Sequence, residues 1–430
     1  MKELGAALSL LQMRRHLHSS PEIIRDEQTR RLRETVHHPY STTPYYRNLL
    51  EAAGVRPRDI NSLADLQRIP LTTKEDLLGV PLEDRISRGT DVRKCLKVRT
   101  SGTSGTPWEI PITPSEKLRR VLADLRSLMA NGCNLFERTC IFAEPQKLPG
   151  PHFWFQHLGL LRRRYVSFLD DPESKLATLR DGNYDVICGW PSDLLLVAET
   201  TLKHGAGFSP PNILVTSGEV MQPSWHRVIR QAFGRDPTDF YGTVEFGYVA
   251  WQCPERQGYH VNADLFALEL VNNGVVVEPG EEGEMVITDL APRAMPLIRF
   301  ATGDWSSSSG RACPCGVTLP SLSHISGRAL DFLLLPSGKK VSPLCFNGQL
   351  KYVPGIKSFQ VIQVSRSQLV ARYTRHSDAA EDLSPAIVRM LRPVIGETMQ
   401  IHVQQVASMA CPRGKFRVVE NALPQAEGPT

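Results

Sequence analysis

No run in this 430-residue chain comes near the 18 or so consecutive apolar residues that a membrane-crossing helix needs, so no such span is expected. Charge of one sign is also scarce. Lys and Arg number 50 against 45 Asp and Glu, a net of +5, too mild to predict a nucleic acid or a membrane surface as partner. Cysteine is sparse, at nine residues, which excludes a disulfide scaffold and predicts free, metal-bound or catalytic thiols in a reducing, cytoplasmic setting. The start, MKELGAALSLLQM, has one Lys, an apolar run interrupted by Ser9 and Gln12, and no small-residue cleavage site after it. It reads as a helix rather than a signal peptide. What remains, 41% hydrophobic and 22% charged residues, is the composition of an ordinary globular protein of two or three domains at about 150 residues each.

The first ninety residues are helical and polar in pattern. RRLRETVHHPYSTTPYYRNLLEAAG carries apolar residues at helical spacing, broken by Pro39 and Pro44 and stopped at Gly54. LTTKEDLL offers Thr72 or Thr73 as a helix N-cap. From about residue 95 the pattern changes to short β-branched runs, TCIFA, DVICG, NILVTSGE and TDFYG, with helix-length stretches between them such as PSWHRVIRQAFG. That alternation predicts right-handed crossovers and a doubly wound, mostly parallel sheet, whose ligands bind beyond the carboxyl ends of the strands. Between 260 and 310 the runs DLFALELV, GEMVITDL and PLIRFATGDW come without helices and predict a β-rich, antiparallel segment. After Gly327-Arg328, DFLLLPSGKKV reads as a hairpin turning at Ser337-Gly338, and SFQVIQVS, QLVARYT, AEDLSPAIVRMLRP and QIHVQQV complete a small α+β unit. The expected class is α/β, with a large N-terminal domain over 1–326 and a small α+β C-terminal domain over 327–430, which the resemblance described below implies to be mobile.

The sharpest local feature is the hydroxyl-rich loop Ser101-Gly102-Thr103-Ser104-Gly105-Thr106. Small residues let the main chain approach an anion, and successive N–H groups form an anion-binding nest. A flexible linker is the plain alternative, and a Ser-nucleophile amidase stays open. A Walker A loop and a nucleophile elbow are excluded, because neither Gly-Lys-Ser/Thr nor Gly-x-Ser-x-Gly is present. Further on come Ser217-Gly218-Glu219, Tyr241-Gly242-Thr243-Val244-Glu245, Thr302-Gly303-Asp304, Gly327-Arg328 and Gly414-Lys415. Each is weak singly; together, in this order, they form a strong signal. They resemble the adenylate-forming superfamily of acyl-CoA synthetases and peptide-synthetase adenylation domains, most closely its phenylacetate–CoA ligase branch. The match extends to RLRETVHHPYSTTPYYRNLLEAAGV and AMPLIRFATGD.

That resemblance implies a reaction in which a carboxylate attacks ATP to give acyl-AMP and pyrophosphate, and a second nucleophile then takes the acyl group. By the same resemblance, residues 101–106 hold the β- and γ-phosphates and Glu245 ligates Mg²⁺, a hard ion that prefers oxygen. Tyr241 stacks on adenine, with Gly242 and Thr243 beside it and Ser217, Gly218 and Glu219 lining the pocket. Asp304 accepts from the ribose hydroxyls, Arg328 contacts ribose or phosphate, and Lys415 meets the reacting carboxylate and the α-phosphate. Each has a plain alternative: a surface carboxylate, a core tyrosine, a turn aspartate, surface cations. The acid pocket is expected around Phe142, Ala143, Trp190 and Pro191, whose aromatic members favour a small aromatic acid, although both also suit a core.

Cys253, His260, Cys313 and Cys315 form a set of three thiols and one imidazole suited to a closed, structural Zn²⁺ site, and ligases of this branch carry a similar Cys…His pair and Cys-Pro-Cys-Gly turn. The alternative is reduced cysteines beside a core histidine. The other six cysteines read as small buried hydrophobes. Departures from the family pattern are Thr106, where Lys is frequent, and Leu330, where the hinge aspartate stands. Ser337-Gly338-Lys339-Lys340-Val341 also replaces an Arg-Gly-x-Asn turn that helps build the thioester site. CoA is the expected acceptor; an amine, a carrier protein, or AMP transfer to a non-carboxylate acceptor are alternatives, as is a non-catalytic adenylate-binding relative. A monomer or homodimer is expected.

Overall fold

The computed structural model describes residues 2–99, 109–143, 154–167, 170–291, 293–328, 333–338, 340–341, 346, 350, 353–376, 382–407 and 419–423. The chain divides into two compact units, residues 1–133 with 238–325 and residues 134–237 with 326–430. Among the described residues no helix is long and apolar enough to cross a membrane.

The first unit opens with helices Lys2–His16, Pro21–Thr42 and Pro44–Ala52. The second of these runs through Pro39 instead of breaking there. Pro39 gives up the bond that an N–H there would make to the Thr35 carbonyl, yet its buried ring stays in the helix; the helix ends at Thr42, ahead of Thr43, which is extended before Pro44. Leu32, Val36, Tyr46 and Leu50 bury the inner faces of the second and third helices against Ala267, Leu290 and Ile298. Thr73 is the N-cap of the next helix: its hydroxyl accepts from the Asp76 N–H while Asp76 accepts from the Thr73 N–H. Thr113 and Glu116 repeat this box at the start of helix Pro114–Ala130.

Strands of the same unit lie in the order Val275–Val276, Phe266–Asn272, Glu282–Asp289, Phe300–Ser308, Ser321–Arg328, Tyr259–Val261, Gly247–Gln252, Pro237–Thr243. The expected antiparallel segment is present, with Phe266–Asn272, Glu282–Asp289 and Phe300–Ser308 paired in turn. One irregularity matters. Glu284 pairs with Trp305 and Val286 with Ala301, so the single residue Met285 faces three, Thr302, Gly303 and Asp304. This bulge is pinned by the Thr302 hydroxyl on the Met285 carbonyl at 2.8 Å and by the Gly303 N–H on Glu284 at 2.9 Å. TDFYG, read with the alternating series, turns back at once and pairs antiparallel with Gly247–Gln252.

In the second unit the strands Ile213–Ser217, Val186–Gly189, Thr139–Ala143 and Arg163–Ser167 are neighbours in that order and all parallel. Helices Pro172–Gly182, Pro191–His204 and Pro223–Phe233 alternate with them, each starting on a proline whose missing N–H is no loss there. Their core includes Phe142, Leu179, Ile187, Leu194, Leu214, Trp225 and Phe233. The C-terminal part forms its own sheet, Gln400–Gln405, Gln368–Arg375, Ile356–Ser365 and Val419–Asn421, over a core containing Phe359, Tyr373, Leu391 and Met399. The hairpin at Ser337-Gly338 is present, with Leu333–Leu334 paired to Lys340–Val341. Among the described residues, contacts that join this part to the parallel-sheet helices include Lys357 to Glu199 at 2.9 Å and the Gln222 amide to the Phe359 carbonyl at 3.4 Å.

Candidate active site and metal cluster

Within the first unit, Tyr241 and Asp304 meet. The phenol donates to the Asp304 carboxylate at 2.8 Å, and both residues are buried. Asp304 is brought there by the bulge, since the two extra residues carry it beyond the plain ladder. Gly242 is the residue the hairpin can accept: a Cβ there would come 2.6 Å from the Gly247 carbonyl oxygen. The Thr243 hydroxyl is buried and has no hydrogen-bond partner among the described residues. Glu245 is half-buried, and its carboxylate makes no hydrogen bond or ion pair with another described residue. An unengaged carboxylate is the donor a hard cation such as Mg²⁺ needs, so the residue present fits that ion.

In the second unit, Phe142 and Ala143 end one parallel strand, Trp190 and Pro191 open the helix after another, and Ser217-Gly218-Glu219 follow a third. All lie at carboxyl ends of strands, where ligands of such sheets bind. Gly218 takes a positive φ of 81°, available cheaply to glycine. Glu219 is engaged: its two oxygens accept from the Ser192 N–H at 2.9 Å and the Ser192 hydroxyl at 3.0 Å, closing the first turn of helix Pro191–His204. Beneath Phe142 is a buried pair that no motif announced. The Lys175 ammonium donates to Asp193 and lies 5.6 Å from the centre of the Phe142 ring. Burial outweighs Lys175 and lifts the Asp193 carboxyl to about 6.

Cys253, His260, Cys313 and Cys315 do come together, with all four ligand atoms within 4.8 Å of one another. The Cys253 and Cys313 sulfurs are 3.5 Å apart, and Cys315 Sγ is 3.3 Å from His260 Nε2. Tetrahedral zinc, with bonds of about 2.3 Å to sulfur and about 2.1 Å to nitrogen, requires separations of about 3.6–3.8 Å, so the set fits. The Trp251 ring stands over His260 at 5.1 Å, and Gly316 allows the Cys-Pro-Cys turn with a φ of +80°. Burial raises the Cys253 thiol, pushes the Cys315 thiol up to about 12, and lowers His260. A divalent cation reverses the thiol shifts by supplying the charge that burial removes. Elsewhere Cys133 and Cys140 are buried as expected, whereas Cys95 and Cys188 are half-exposed.

Residues 101–106, Leu330 and Lys415 lie outside the described residues, as do Cys345 and Cys411. Arg328 ends strand Ser321–Arg328, and its side chain is not among those described.

No protein-family model matches the chain. It is 30% identical over 382 residues to the phenylacetate–coenzyme A ligase of Thermus thermophilus, spanning 84% of this chain and 81% of that one. To the phenylacetate–coenzyme A ligase of Aromatoleum evansii it is 26% identical over 418 residues, spanning 90% and 91%. Among solved structures, 2-hydroxyisobutyryl-CoA ligase in the postadenylation state in complex with R3-HIB-AMP shares the fold, with a TM-score of 0.79 at 20% identity over 95% of this chain and 91% of that one. Taken with the ordered motifs and the Tyr241–Asp304 and Glu245 geometry, these likenesses place the chain: it belongs to the phenylacetate–coenzyme A ligase family of the adenylate-forming acid–thiol ligases.

Proposed function

We propose that this enzyme activates a small aromatic carboxylic acid with ATP and then passes the acyl group to CoA. The observation that carries the reading is the buried Tyr241–Asp304 pair one turn from an unengaged Glu245 carboxylate, in a chain of this family. In the first half-reaction a carboxylate oxygen of the acid attacks the α-phosphorus and pyrophosphate departs with the electrons of the broken P–O bond. In the second, the CoA sulfur attacks the acyl carbon and AMP leaves. Asp304 accepts from the ribose hydroxyls, and Tyr241, fixed by its bond to Asp304, offers its ring to adenine. Gly242 and Thr243 stand beside Tyr241, and Ser217, Gly218 and Glu219 contribute to nucleotide binding. Glu245 would hold Mg²⁺, which would supply charge neutralisation at the phosphates. The loop 101–106 cradles the β- and γ-phosphates, and Arg328 and Lys415 bring cations to the ribose and the α-phosphate. Phe142, Ala143, Trp190 and Pro191 bound the acid.

The chain works as two functional parts, 1–326 holding the nucleotide and acid, and 327–430 carrying Lys415 as a movable lid. The Lys357–Glu199 and Gln222–Phe359 contacts are among those that such a movement would release. Cys253, His260, Cys313 and Cys315 hold one structural zinc ion. Acid-dependent pyrophosphate release, measured with and without CoA across a panel of aromatic and aliphatic acids, tests the function. Release that needs no acid, or acyl-AMP that accumulates unchanged on adding CoA, contradicts it. The second result would direct attention to an amine or carrier-protein acceptor, the reading that Leu330 favours. Lys415→Ala is expected to abolish acyl-AMP formation and spare turnover of preformed acyl-AMP.

A further inference from the structure

Two arginines far apart in the chain converge on the main chain of the Glu245 turn. Arg120, on helix Pro114–Ala130, donates from one guanidinium nitrogen to the Val244 carbonyl at 3.0 Å and from the other to the Glu245 carbonyl at 2.5 Å. Arg293 donates to the same Glu245 carbonyl. Both lone pairs of that oxygen are therefore taken, and both by charged donors. Arg293 is itself fixed: its Nε lies 3.2 Å from Glu116 and 3.3 Å from Asp289, and its guanidinium stands 5.4 Å over the Phe246 ring. Glu116 is anchored in turn by the Thr113 N–H at 2.7 Å and the Ala294 N–H at 3.2 Å. Gly247 leaves room for the Arg120 stem, since a Cβ there would come 3.3 Å from Arg120 Cδ.

This arrangement is costly. Burial, with the nearby charge of Arg293, brings the Arg120 guanidinium down to about 10. Two like charges withdrawn from water beside one peptide need compensation, which Asp289 and Glu116 provide. A turn that only had to close a hairpin would need none of it. The clamp leaves the Glu245 carboxylate unengaged while immobilising the peptide that bears it.

We infer that Arg120 and Arg293 are positioning residues, holding the Val244–Glu245 main chain so that the Glu245 carboxylate is presented to the metal of the bound nucleotide. The inference rests on Glu245 being a metal ligand. Supporting residues of this kind change metal affinity by about 10–100-fold when removed.

The test is Mn²⁺ binding, read by the loss of the free-ion paramagnetic signal, to the full chain with α,β-methylene-ATP present, compared across wild type, R120M, R120K and E245Q. Thermal unfolding is followed alongside. R120M is expected to weaken Mn²⁺ binding by at least about tenfold. R120K keeps the charge and the stem, but its compact ammonium lacks the planar fork that spans two carbonyls, so an intermediate value is expected. Should R120M not fold, R120K alone still carries the comparison, with at least about threefold weakening expected. Mn²⁺ affinity within twofold of wild type in whichever Arg120 variants fold, alongside weakened binding in E245Q, would overturn the inference and leave the arginines as braces of the fold. Unchanged affinity in E245Q would overturn it by removing the ligand role on which it rests, and the two failures are told apart by that one variant.

Discussion

Glu245 in the first unit and Glu219 in the second both follow a strand end and both belong to the motifs that mark this family, yet they are held in opposite ways. Glu245 is gripped through its main-chain carbonyl, and its carboxylate has no partner among the described residues. Glu219 is gripped through its carboxylate, both oxygens of which accept from Ser192. A carboxylate fixed by its own oxygens acts as a brace, whereas one fixed behind the side chain keeps its lone pairs for a ligand. The surroundings differ in the same sense. The first unit sets its functional segments in buried charge and thiol clusters that reach across long sequence distances, while the second relies on an apolar core, a local cap and one buried pair.

Damage to the long-range clusters of the first unit should therefore exceed damage to the anchors of the second. The largest effect is expected from Cys313→Ser. Zinc in the purified protein should drop from about one equivalent to near zero, with a stability loss above about 4 kcal/mol by urea unfolding; wild-type protein holding less than about half an equivalent would refute the metal assignment. Next is Arg126→Met. Arg126 is fully buried, 2.7 Å from Asp264 and 2.6 Å from Asn262, and its loss leaves the buried carboxylate with His16 as its remaining charged partner among the described residues, costing about 3 kcal/mol. The paired comparison of Glu245→Gln with Glu219→Gln is third. The first should lower acid-dependent pyrophosphate release at least about a hundredfold with little change in melting temperature, and the second should lower the melting temperature and reduce release by a much smaller factor. Equal loss of activity in both would dissolve the contrast.

Acid unfolding separates the units by sign. In the first, Arg126 and His16 outweigh the burial of Asp264 and hold its carboxyl at about 2, below the ordinary 3.8. Its contribution is present above about pH 4 and lost as the pH falls toward 2. In the second, burial holds Asp193 at about 6, above the ordinary 3.8, so its ionisation weakens the fold at neutral pH and that weakening is relieved as the pH falls from 6 toward 4. Urea midpoints measured from pH 7 to pH 2 should show the relief vanish in Asp193→Asn. The smallest effect, about 1 kcal/mol, is expected for Ser192→Ala, which removes one of the two donors that tie Glu219 to the helix start.

How much of this the sequence announced depended on whether a role is written in residue type or in geometry. The parallel strands TCIFA, DVICG and NILVTS were legible because a strand buried on both faces needs an apolar, β-branched run. The cysteine set was legible because few side chains besides thiols and imidazoles satisfy such a cluster. Tyr241 and Asp304 were legible as motifs, although the bond between them was not. Arg120 and Arg293 were not legible at all: they bind carbonyls, which every residue carries, and their partners lie 125 and 48 positions away. Lys175 and Asp193 sit 18 positions apart on different helices, with nothing periodic to connect them. The helix through Pro39 went the other way: the local pattern marks proline as a breaker, whereas the burial of Pro39 in the packed helix face is a tertiary contact that the pattern does not show.

The bulge at Thr302–Asp304 has a consequence for how such a site can be gained or lost. Because one residue faces three, the insertion is even-numbered, and the in–out alternation of the strand is the same on either side of it. Phe300 before it and Ser306 after it both remain buried. Deleting Thr302 and Gly303 together would leave an ordinary ladder with its faces intact and Asp304 drawn back into register, whereas deleting either one alone would turn half the strand inside out. The carboxylate is thus carried on a removable two-residue module, and the sheet beneath it can outlast the chemistry it supports.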